Sequence, residues 1–285
     1  MGIYWLEQSA ADVLADDSWL RPMEREVQER FRFCKRRDEW RLGRWTAKSS
    51  VAAYLGMPRA PQELCRIEIR SRSSGAPFAV VQGKGAPVVI SLTHRAGKAM
   101  CAVASSGEAI GCDLELVEPR SAAFVSDYFT LDEQALVERT SVDKRALIPN
   151  LLWSAKESAL KALHLGLRVD TRSVKVCPLA KVDRLWLQSY PIPLSDVASN
   201  TNEGNRFVWQ PLKVEFGTKL AFVGWWALSD AFVRTLVLRS PSERSETDGL
   251  AQPEGLKLGA AESADLRIES DRVSRLRSEC LVPVT

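Results

Sequence analysis

The chain has 285 residues, of which 45% are hydrophobic and 26% are charged, and its formal net charge is +3. That is enough apolar material for a globular core, and it excludes a small disulfide-stapled scaffold and a wholly disordered chain. The small net charge argues against a chain-wide nucleic-acid surface. No run reaches about 18 consecutive apolar residues, so no membrane span is expected.

Cysteine usage argues against a metal–thiolate site. The six cysteines are scattered without a CxxC pair, and only two histidines are present to join them. Zinc sites need closer clustering of ligands, so we interpret the cysteines as reduced thiols. The first residues carry Glu7 and Asp12 and lack the basic and apolar regions of a secretory signal. We therefore expect a cytoplasmic protein.

The first strongly patterned element is a basic helix around Trp45. Arg37, Arg41, Arg44 and Lys48 follow at spacings of four, three and four residues, which places them on one helical face. Such a face is usually solvated, but it also suits a polyanionic small molecule or the acidic surface of a protein. No Walker-type loop and no GxGxxG sequence is present, so no P-loop or Rossmann nucleotide site is predicted.

A strand over residues 88–90 leads into a polar cluster. Thr93, His94 and Arg95 offer a hydroxyl, an imidazole and a guanidinium at the strand end, which suits an anion. Histidine side chains ordinarily titrate near neutrality, so His94 is a candidate general base, although a lone histidine is more often an ordinary loop residue. No GxSxG sequence supports a Ser-His-Asp hydrolase.

An acidic strand follows at residues 110–116. Apolar residues alternate there with Gly111, Asp113 and Glu115, so both carboxylates project from the same face. A divalent cation between them would remove their repulsion, and oxygen ligands of this kind suit Mg²⁺. A solvated polar face is an equally good interpretation of this strand alone.

The next helix is predicted over about residues 151–165. Trp153, Glu157 and Lys161 are spaced four apart and lie on one face. Glu157 and Lys161 form an ordinary helical ion pair in the usual interpretation. The functional alternative makes Glu157 a metal ligand and Lys161 a phosphate clamp.

The chain matches itself around these two helices. Residues 45–50 (WTAKSS) resemble residues 153–158 (WSAKES), and a predicted hairpin follows each helix, at residues 99–116 and 207–228. We predict an α+β fold made of two similar halves, residues 1–107 and 108–238. Residues 239–285 contain no aromatic residue and are rich in Ser, Glu, Arg and Gly, so we expect a disordered tail.

The order of these motifs resembles the 4′-phosphopantetheinyl transferase superfamily, in its long surfactin-synthetase-activating form. The family's Gly-x-Asp-x-Glu is similar to residues 111–115 (GCDLE), and its Trp-x-x-Lys-Glu-x-x-x-Lys to residues 153–161 (WSAKESALK). The hydroxyl-His pair before a hairpin matches Thr93-His94. The Gly-Arg helix and the Gly-x-Pro turn match Gly43-Arg44 and residues 75–77 more loosely.

The resemblance implies a pseudo-dimer of the two halves with the active site at their interface. It implies transfer of the phosphopantetheine arm of coenzyme A to a serine of an apo acyl or peptidyl carrier protein, with release of adenosine 3′,5′-bisphosphate. It implies that Asp113 and Glu157 hold Mg²⁺, with Glu115 as a third or water-mediated ligand.

The resemblance also assigns the ligand contacts. Lys161 and Lys156 would stabilise pyrophosphate oxygens, and Thr93 and His94 would contact coenzyme A phosphates. Arg44, with Lys48 or Arg41 beside it, would meet the 3′-phosphate. The turn from Gly75 to Pro77 would lie along the adenosine end.

By the same resemblance, the candidates for the base that accepts the serine proton are Glu157 and Glu133, with Glu157 favoured. Ala76 stands where the family often has Lys, so a phosphate contact is lost there or supplied by Arg72. A degenerate homologue that binds coenzyme A or a carrier without transfer is one alternative, and a Mg²⁺-dependent phosphoesterase or nuclease is another. We expect a monomer, because the duplication supplies its own two-fold interface. We expect it to bind neither nucleic acid nor membrane.

Overall fold

The computed structural model describes residues 3–178, 208–218 and 220–239, and the backbone of residues 254–255. Its helices are α1 (Pro22–Glu29), α2 (Cys34–Tyr54), α3 (Pro61–Leu64), α4 (Ala122–Tyr128), α5 (Leu131–Glu138) and α6 (Leu147–Ala162). Short 3-10 turns occupy Ala10–Asp12, Val142–Lys144, Gly166–Arg168 and Thr171–Ser173.

The strands are β1 (Tyr4–Ser9), β2 (Ile67–Ser71), β3 (Pro77–Val81), β4 (Lys84–Gly85), β5 (Val88–Arg95), β6 (Lys98–Ser105), β7 (Ile110–Leu116), β8 (Val174–Pro178), β9 (Gln210–Phe216), β10 (Leu220–Ser229), β11 (Phe232–Arg239) and β12 (Glu254–Gly255). They form a first sheet in the order β12-β1-β6-β5, a second in the order β7-β11-β10-β9-β8, and a small third sheet, β2-β3-β4. The mixture of helices and mostly antiparallel strands confirms the predicted α+β class.

The two large sheets pack face to face between two helices. In β6, Cys101 and Val103 join the core under α2, whereas Met100 and Ala102 join a core shared with the second sheet. The outer face of the second sheet packs under α6 through residues such as Val237. The resulting order of layers is α2, first sheet, second sheet and α6, because alternate residues of each strand serve opposite faces.

One predicted hairpin is confirmed and the other is wrong. Strands β9 and β10 pair antiparallel, with Leu220 opposite Phe216. Strands β6 and β7 do not pair, because β6 pairs with β1 and β5 while β7 pairs with β11. The hairpin partner of β6 is β5, joined by Ala96 and Gly97, whose φ values are 47° and 78°. Two positive φ values in a two-residue turn match the twist of such a hairpin.

The chain between β6 and β7 instead crosses from one sheet to the other. At this crossing β5 and β7 lie side by side as edge strands, and Cys112 donates its backbone N–H to Ser91 Oγ at 2.9 Å. The edge of the first sheet therefore meets the edge of the second beside the motifs predicted to carry chemistry.

The predicted division at residue 107 and the pseudo-dimer stay predictions. Of the predicted tail, Arg239 ends β11 and β12 pairs in parallel with β1, and the remainder lies outside the described residues. None of the described helices is long and apolar enough to cross a membrane.

Candidate active site

The candidate site forms where β5, β7 and α6 meet. Asp113 of β7 accepts a hydrogen bond from the Thr93 hydroxyl at 3.0 Å and another from Lys161 Nζ at 2.7 Å. Lys161 Nζ also lies 3.2 Å from the carbonyl oxygen of Cys112 and 3.9 Å from Glu157 Oε2. The structure thus brings together residues of three sequence motifs that are up to about 70 residues apart in the chain.

A glycine allows this close approach. A Cβ atom placed on Gly111 would lie 1.8 Å from the carbonyl oxygen of Ser158, which is backbone and cannot rotate away. Gly111 therefore lets α6 lie directly on β7, so that the next outward-facing residue of the strand, Asp113, reaches the helix. The glycine of the Gly-x-Asp-x-Glu motif has a packing reason to be there.

Buried hydroxyl groups fix α6 against the neighbouring strand. Thr235 of β11 lies opposite Asp113, and its Oγ1 is 2.9 Å from Ser154 Oγ and 2.7 Å from Ser158 Oγ. All three hydroxyl residues have almost no solvent-exposed surface. Sequence analysis did not identify Thr235, because only the pairing of β11 with β7 places it beneath the helix.

One oxygen of the Asp113 carboxylate has no hydrogen-bond partner. The residue is only 4% exposed, and its Oδ2 atom is buried without a hydrogen-bond partner. Burying a charged oxygen without a partner is unfavourable, so such an atom calls for a ligand. The pKa of Glu157 is raised to about 6, first by burial and then by the charge of Asp113. Two carboxylates that repel each other in this way fit a divalent cation.

Glu115 does not complete a three-carboxylate site. Its Oε2 lies 3.2 Å from Arg120 Nη2 and 3.6 Å from Arg95 Nε, so two guanidinium groups hold it. Burial raises the pKa of Glu115, and the Asp113 charge raises it further, against the opposing effect of Arg120. Over the ranges that the structure describes, no three His, Cys, Asp or Glu side chains are grouped to hold a metal ion. The structure groups Asp113 with Glu157, and the water-mediated role of Glu115 stays a prediction.

His94 and Arg95 lie at the end of β5 rather than in a loop. His94 is exposed, and partial loss of contact with water lowers its pKa, while the charge of Glu39 acts in the opposite direction. Arg95 is not free for an anion as predicted, because Glu118 Oε1 lies 2.6 Å from its Nη2.

In the described part of the chain Arg44 makes no ion pair, unlike Arg41 and Lys48 of the predicted basic stripe. Its guanidinium lies 5.0 Å from the centre of the Trp40 ring, and its buried Nε has no hydrogen-bond partner. Burial lowers its pKa. Arg41, in contrast, is held by Asp17 and by the Leu14 carbonyl oxygen at 2.6 Å.

Three other predicted site residues, Lys48, Lys156 and Glu133, are buried and bonded to protein groups. Lys48 and Lys156 have no exposed side-chain surface, and each forms an ion pair with a buried glutamate. For Lys156 that partner is Glu133, whose two oxygens are both occupied by protein groups. The predictions of Lys48 and Lys156 as phosphate contacts and of Glu133 as base are therefore corrected. An amphipathic helix pattern cannot reveal a buried partner that lies more than 20 residues away in the chain.

The Gly75–Pro77 turn is reached by a residue that sequence analysis missed. Gly75 has a φ of 89°, and Arg72 and Ala76 close the turn through a 2.9 Å backbone hydrogen bond. Arg168, which follows α6, donates from Nη2 to the carbonyl oxygen of Ser74 at 2.6 Å. A guanidinium thus lies beside the turn in which Ala76 replaces the expected lysine.

Comparison with known protein families gives a match in the same part of the chain. Residues 109–187 match the model of the 4′-phosphopantetheinyl transferase superfamily. The matched segment begins just before β7 and contains Asp113, Glu157 and Lys161. No curated protein matches the chain significantly. The resemblance to the superfamily is therefore shown for the segment that carries the acidic site.

Proposed function

We propose that the protein transfers the 4′-phosphopantetheine arm of coenzyme A to a serine of an apo carrier protein, with Mg²⁺ as cofactor. The observation that carries the proposal is the buried, unpartnered Oδ2 of Asp113 beside Glu157 and Lys161. The family match over residues 109–187 supports the same reaction class.

The residues present fit one magnesium ion held by two carboxylates. Mg²⁺ typically takes one or two protein carboxylates and fills its remaining positions with water and phosphate oxygens. Asp113 would bind through Oδ2, and Glu157 would be the second ligand. When bound, the ion would neutralise negative charge on the diphosphate. Glu115, held by Arg95 and Arg120, would act only through water.

Lys161 and Glu157 have distinct roles in the transfer. The serine oxygen forms a bond to the phosphorus that carries the pantetheine arm, and the bond from that phosphorus to the oxygen of adenosine 3′,5′-bisphosphate breaks. Lys161 donates hydrogen bonds to the diphosphate oxygens as charge moves to the departing group. Glu157 is also the candidate to accept the serine proton, a role in which the bound ion would lower its basicity.

The nucleotide end of coenzyme A would bind beside α2. Arg44 offers donors to the 3′-phosphate, whose geometry suits a planar guanidinium. His94 lies at the exposed end of β5, and the Gly75–Pro77 turn would follow the adenosine. Arg168 would supply the positive charge that Ala76 lacks.

The test is transfer to a panel of apo carrier proteins, measured as the mass gained by each carrier. We expect Mg²⁺-dependent addition of phosphopantetheine by the unmodified protein, and a loss of about 100-fold or more in Asp113→Asn and Glu157→Gln. Glu138→Gln is the matched control, because Glu138 is an exposed carboxylate on α5 outside the site. Equal transfer by the Asp113→Asn variant and the control would refute the assignment.

A coenzyme A-binding homologue without transfer is the second candidate. It is favoured by the engagement of Glu115 with two arginines and by Ala76 in the turn. Calorimetry that detects coenzyme A binding while no carrier gains mass would select it. Release of phosphate or cleavage of nucleic acid under Mg²⁺ would instead point to a phosphoesterase or nuclease.

A further inference from the structure

Two buried lysines occupy equivalent places in α2 and α6. Lys48 follows Trp45 by three residues and Lys156 follows Trp153 by three residues, and neither lysine has exposed side-chain surface. Lysine is almost never fully buried unless it is paired, so each side chain must be explained by its partners.

Each ammonium group binds one glutamate and nearby backbone carbonyls. Lys48 Nζ lies 2.5 Å from Glu24 Oε2 and 2.9 Å from the Trp19 carbonyl oxygen. Lys156 Nζ lies 2.9 Å from Glu133 Oε2 and 3.0 Å from the Thr171 carbonyl oxygen, and it also donates to the Val174 carbonyl.

The two glutamates are held by the same kinds of bond. Each is the third residue of a short helix, and its Oε2 accepts the N–H of the residue before that helix, Arg21 at 3.1 Å and Thr130 at 2.8 Å. Each Oε1 accepts a strand N–H, from Ile69 at 3.3 Å and from Val176 at 2.9 Å. The sequence separations from glutamate to strand residue are 45 and 43.

Aromatic rings complete both environments. Lys48 Nζ lies 5.6 Å from the centre of the Trp19 ring, and Lys156 Nζ lies 5.9 Å from that of Phe129. In both places one short helix, one long helix and one strand are joined at a lysine–glutamate pair. The parallel extends beyond the WTAKSS and WSAKES match, because the glutamates, strand residues and rings lie outside those segments.

Each pair lies next to a different part of the proposed site. Lys156 precedes Glu157 directly and is five residues before Lys161, whereas Lys48 is one helical turn beyond Arg44. A helix that is fixed through a lysine on its buried side cannot rotate about its axis without breaking that pair.

We propose that these are two positioning pairs with separate effects on the proposed reaction. Lys156 and Glu133 set the rotation of α6 so that Glu157 and Lys161 face Asp113. Lys48 and Glu24 set the rotation of α2 so that Arg44 faces the 3′-phosphate. The inference rests on the proposed function, and it makes Glu133 a positioning residue.

The test replaces each pair by apolar residues of similar volume, which is a change that buried ion pairs often tolerate. The two variants are Lys156→Met with Glu133→Leu, and Lys48→Met with Glu24→Leu. Affinity for Mg²⁺ alone is measured by calorimetry, and the preference for coenzyme A over 3′-dephospho-coenzyme A by competition. Circular dichroism and thermal unfolding show which variants are folded.

We expect the α6 variant to lose at least about tenfold in Mg²⁺ affinity while keeping its preference for the 3′-phosphate. The α2 variant should lose about tenfold of that preference and keep its Mg²⁺ affinity. Folded variants that both match the unmodified protein would overturn the inference while leaving the proposed function standing. An unmodified protein that binds neither Mg²⁺ nor coenzyme A would overturn both.

If a double variant does not fold, Glu133→Gln and Glu24→Gln take its place. Glutamine keeps the side-chain shape and an acceptor oxygen, and removes only the charge that holds the lysine. The same separation of Mg²⁺ affinity from 3′-phosphate preference is expected, with smaller changes. Equal changes in both properties for both variants would show a general loss of stability and would contradict the proposed positioning.

Discussion

Helices α2 and α6 share the same arrangement of buried residues but differ in the side chains that could bind a metal ion. Both carry a tryptophan three residues before a buried lysine, and both bury one face against a large sheet. Where α6 has Glu157 and Lys161, the corresponding positions of α2 are Ser49 and Ala53. The presence of Glu157 and Lys161 therefore distinguishes α6, which could hold a metal ion, from α2, which could not.

The strands behind the two helices differ as well. Beneath α6, Gly111 and Asp113 of β7 bring a carboxylate to the helix, and Thr235 anchors it by hydroxyl bonds. Beneath α2, the hydroxyl of Thr46 is buried without a hydrogen-bond partner. Among the described glycines, Gly111 alone would bring a Cβ this close to helix backbone, so its contact with α6 is the feature to break first.

The largest effect is expected from Gly111→Ala. The new Cβ would meet the Ser158 carbonyl oxygen at 1.8 Å, so α6 must move away from β7. We expect a loss of about 3 kcal/mol in the free energy of unfolding, measured with urea, together with loss of transfer.

Gly43→Ala in α2 is the matched control for that substitution. Its Cβ would meet only Leu92 Cδ2 at 3.5 Å, an ordinary contact. Alanine in a helix interior should then stabilise the protein by up to about 1 kcal/mol. Equal stability of the two alanine variants would show that α6 and β7 are no more closely packed than their counterparts.

Removal of the Arg44 guanidinium should affect one ligand group only. We expect Arg44→Gln to weaken coenzyme A binding by about 10- to 100-fold, the usual size of a hydrogen bond to a charged group. Binding of 3′-dephospho-coenzyme A should not change, and Arg145→Gln, at an exposed position, serves as the control. A similar loss for both ligands would place Arg44 away from the 3′-phosphate.

The Mg²⁺ affinity of the site beside α6 should also depend on pH. Glu157 has a pKa of about 6, raised by burial and by Asp113, so its carboxylate is protonated below that pH and cannot bind a cation. Mg²⁺ affinity should therefore rise between about pH 5 and 7, by at most about tenfold per unit, and level off above. Calorimetry on Glu157→Gln should show weak binding without this rise. A rise that persists in the variant would assign the titration to another group.

The smallest effect is expected at the surface near the start of α2. Arg32 and Arg36 are exposed there, and Phe33, next to Arg32 in the chain, is 70% exposed. If an acidic carrier docks on this surface, Arg36→Glu should raise KM for the carrier about threefold, since charges at the rim of an interface mainly change association rates. KM for coenzyme A should stay constant, and Lys144→Glu is the control. An unchanged carrier KM at low salt would remove this surface from consideration.

The sequence could predict the elements whose patterns are local. The alternation in residues 110–116 predicts β7 and the shared face of Asp113 and Glu115, and the four-residue spacing predicts the shared face of Glu157 and Lys161. The joining of β5 and β7 at the site could not be read in the same way, because it depends on a crossing between sheets. Four other roles depend on partners that only folding brings together, those of Lys48, Lys156, Glu115 and Glu133. The family pattern predicted that these side chains contact a ligand or metal ion, whereas in the structure they contact protein groups.

The buried contact between the large sheets determines how the protein should behave if its chain is divided into two fragments. Arg234 of β11 is fully buried and binds Glu7 of β1 through two hydrogen bonds, of 2.5 and 2.8 Å. A chain opened after Gly107, in an exposed turn, would divide this ion pair and the apolar core between the sheets into two fragments. Neither fragment should be soluble when produced singly, because each would expose the apolar sheet face that the other covers. Co-produced, the two should recover a functional two-chain complex.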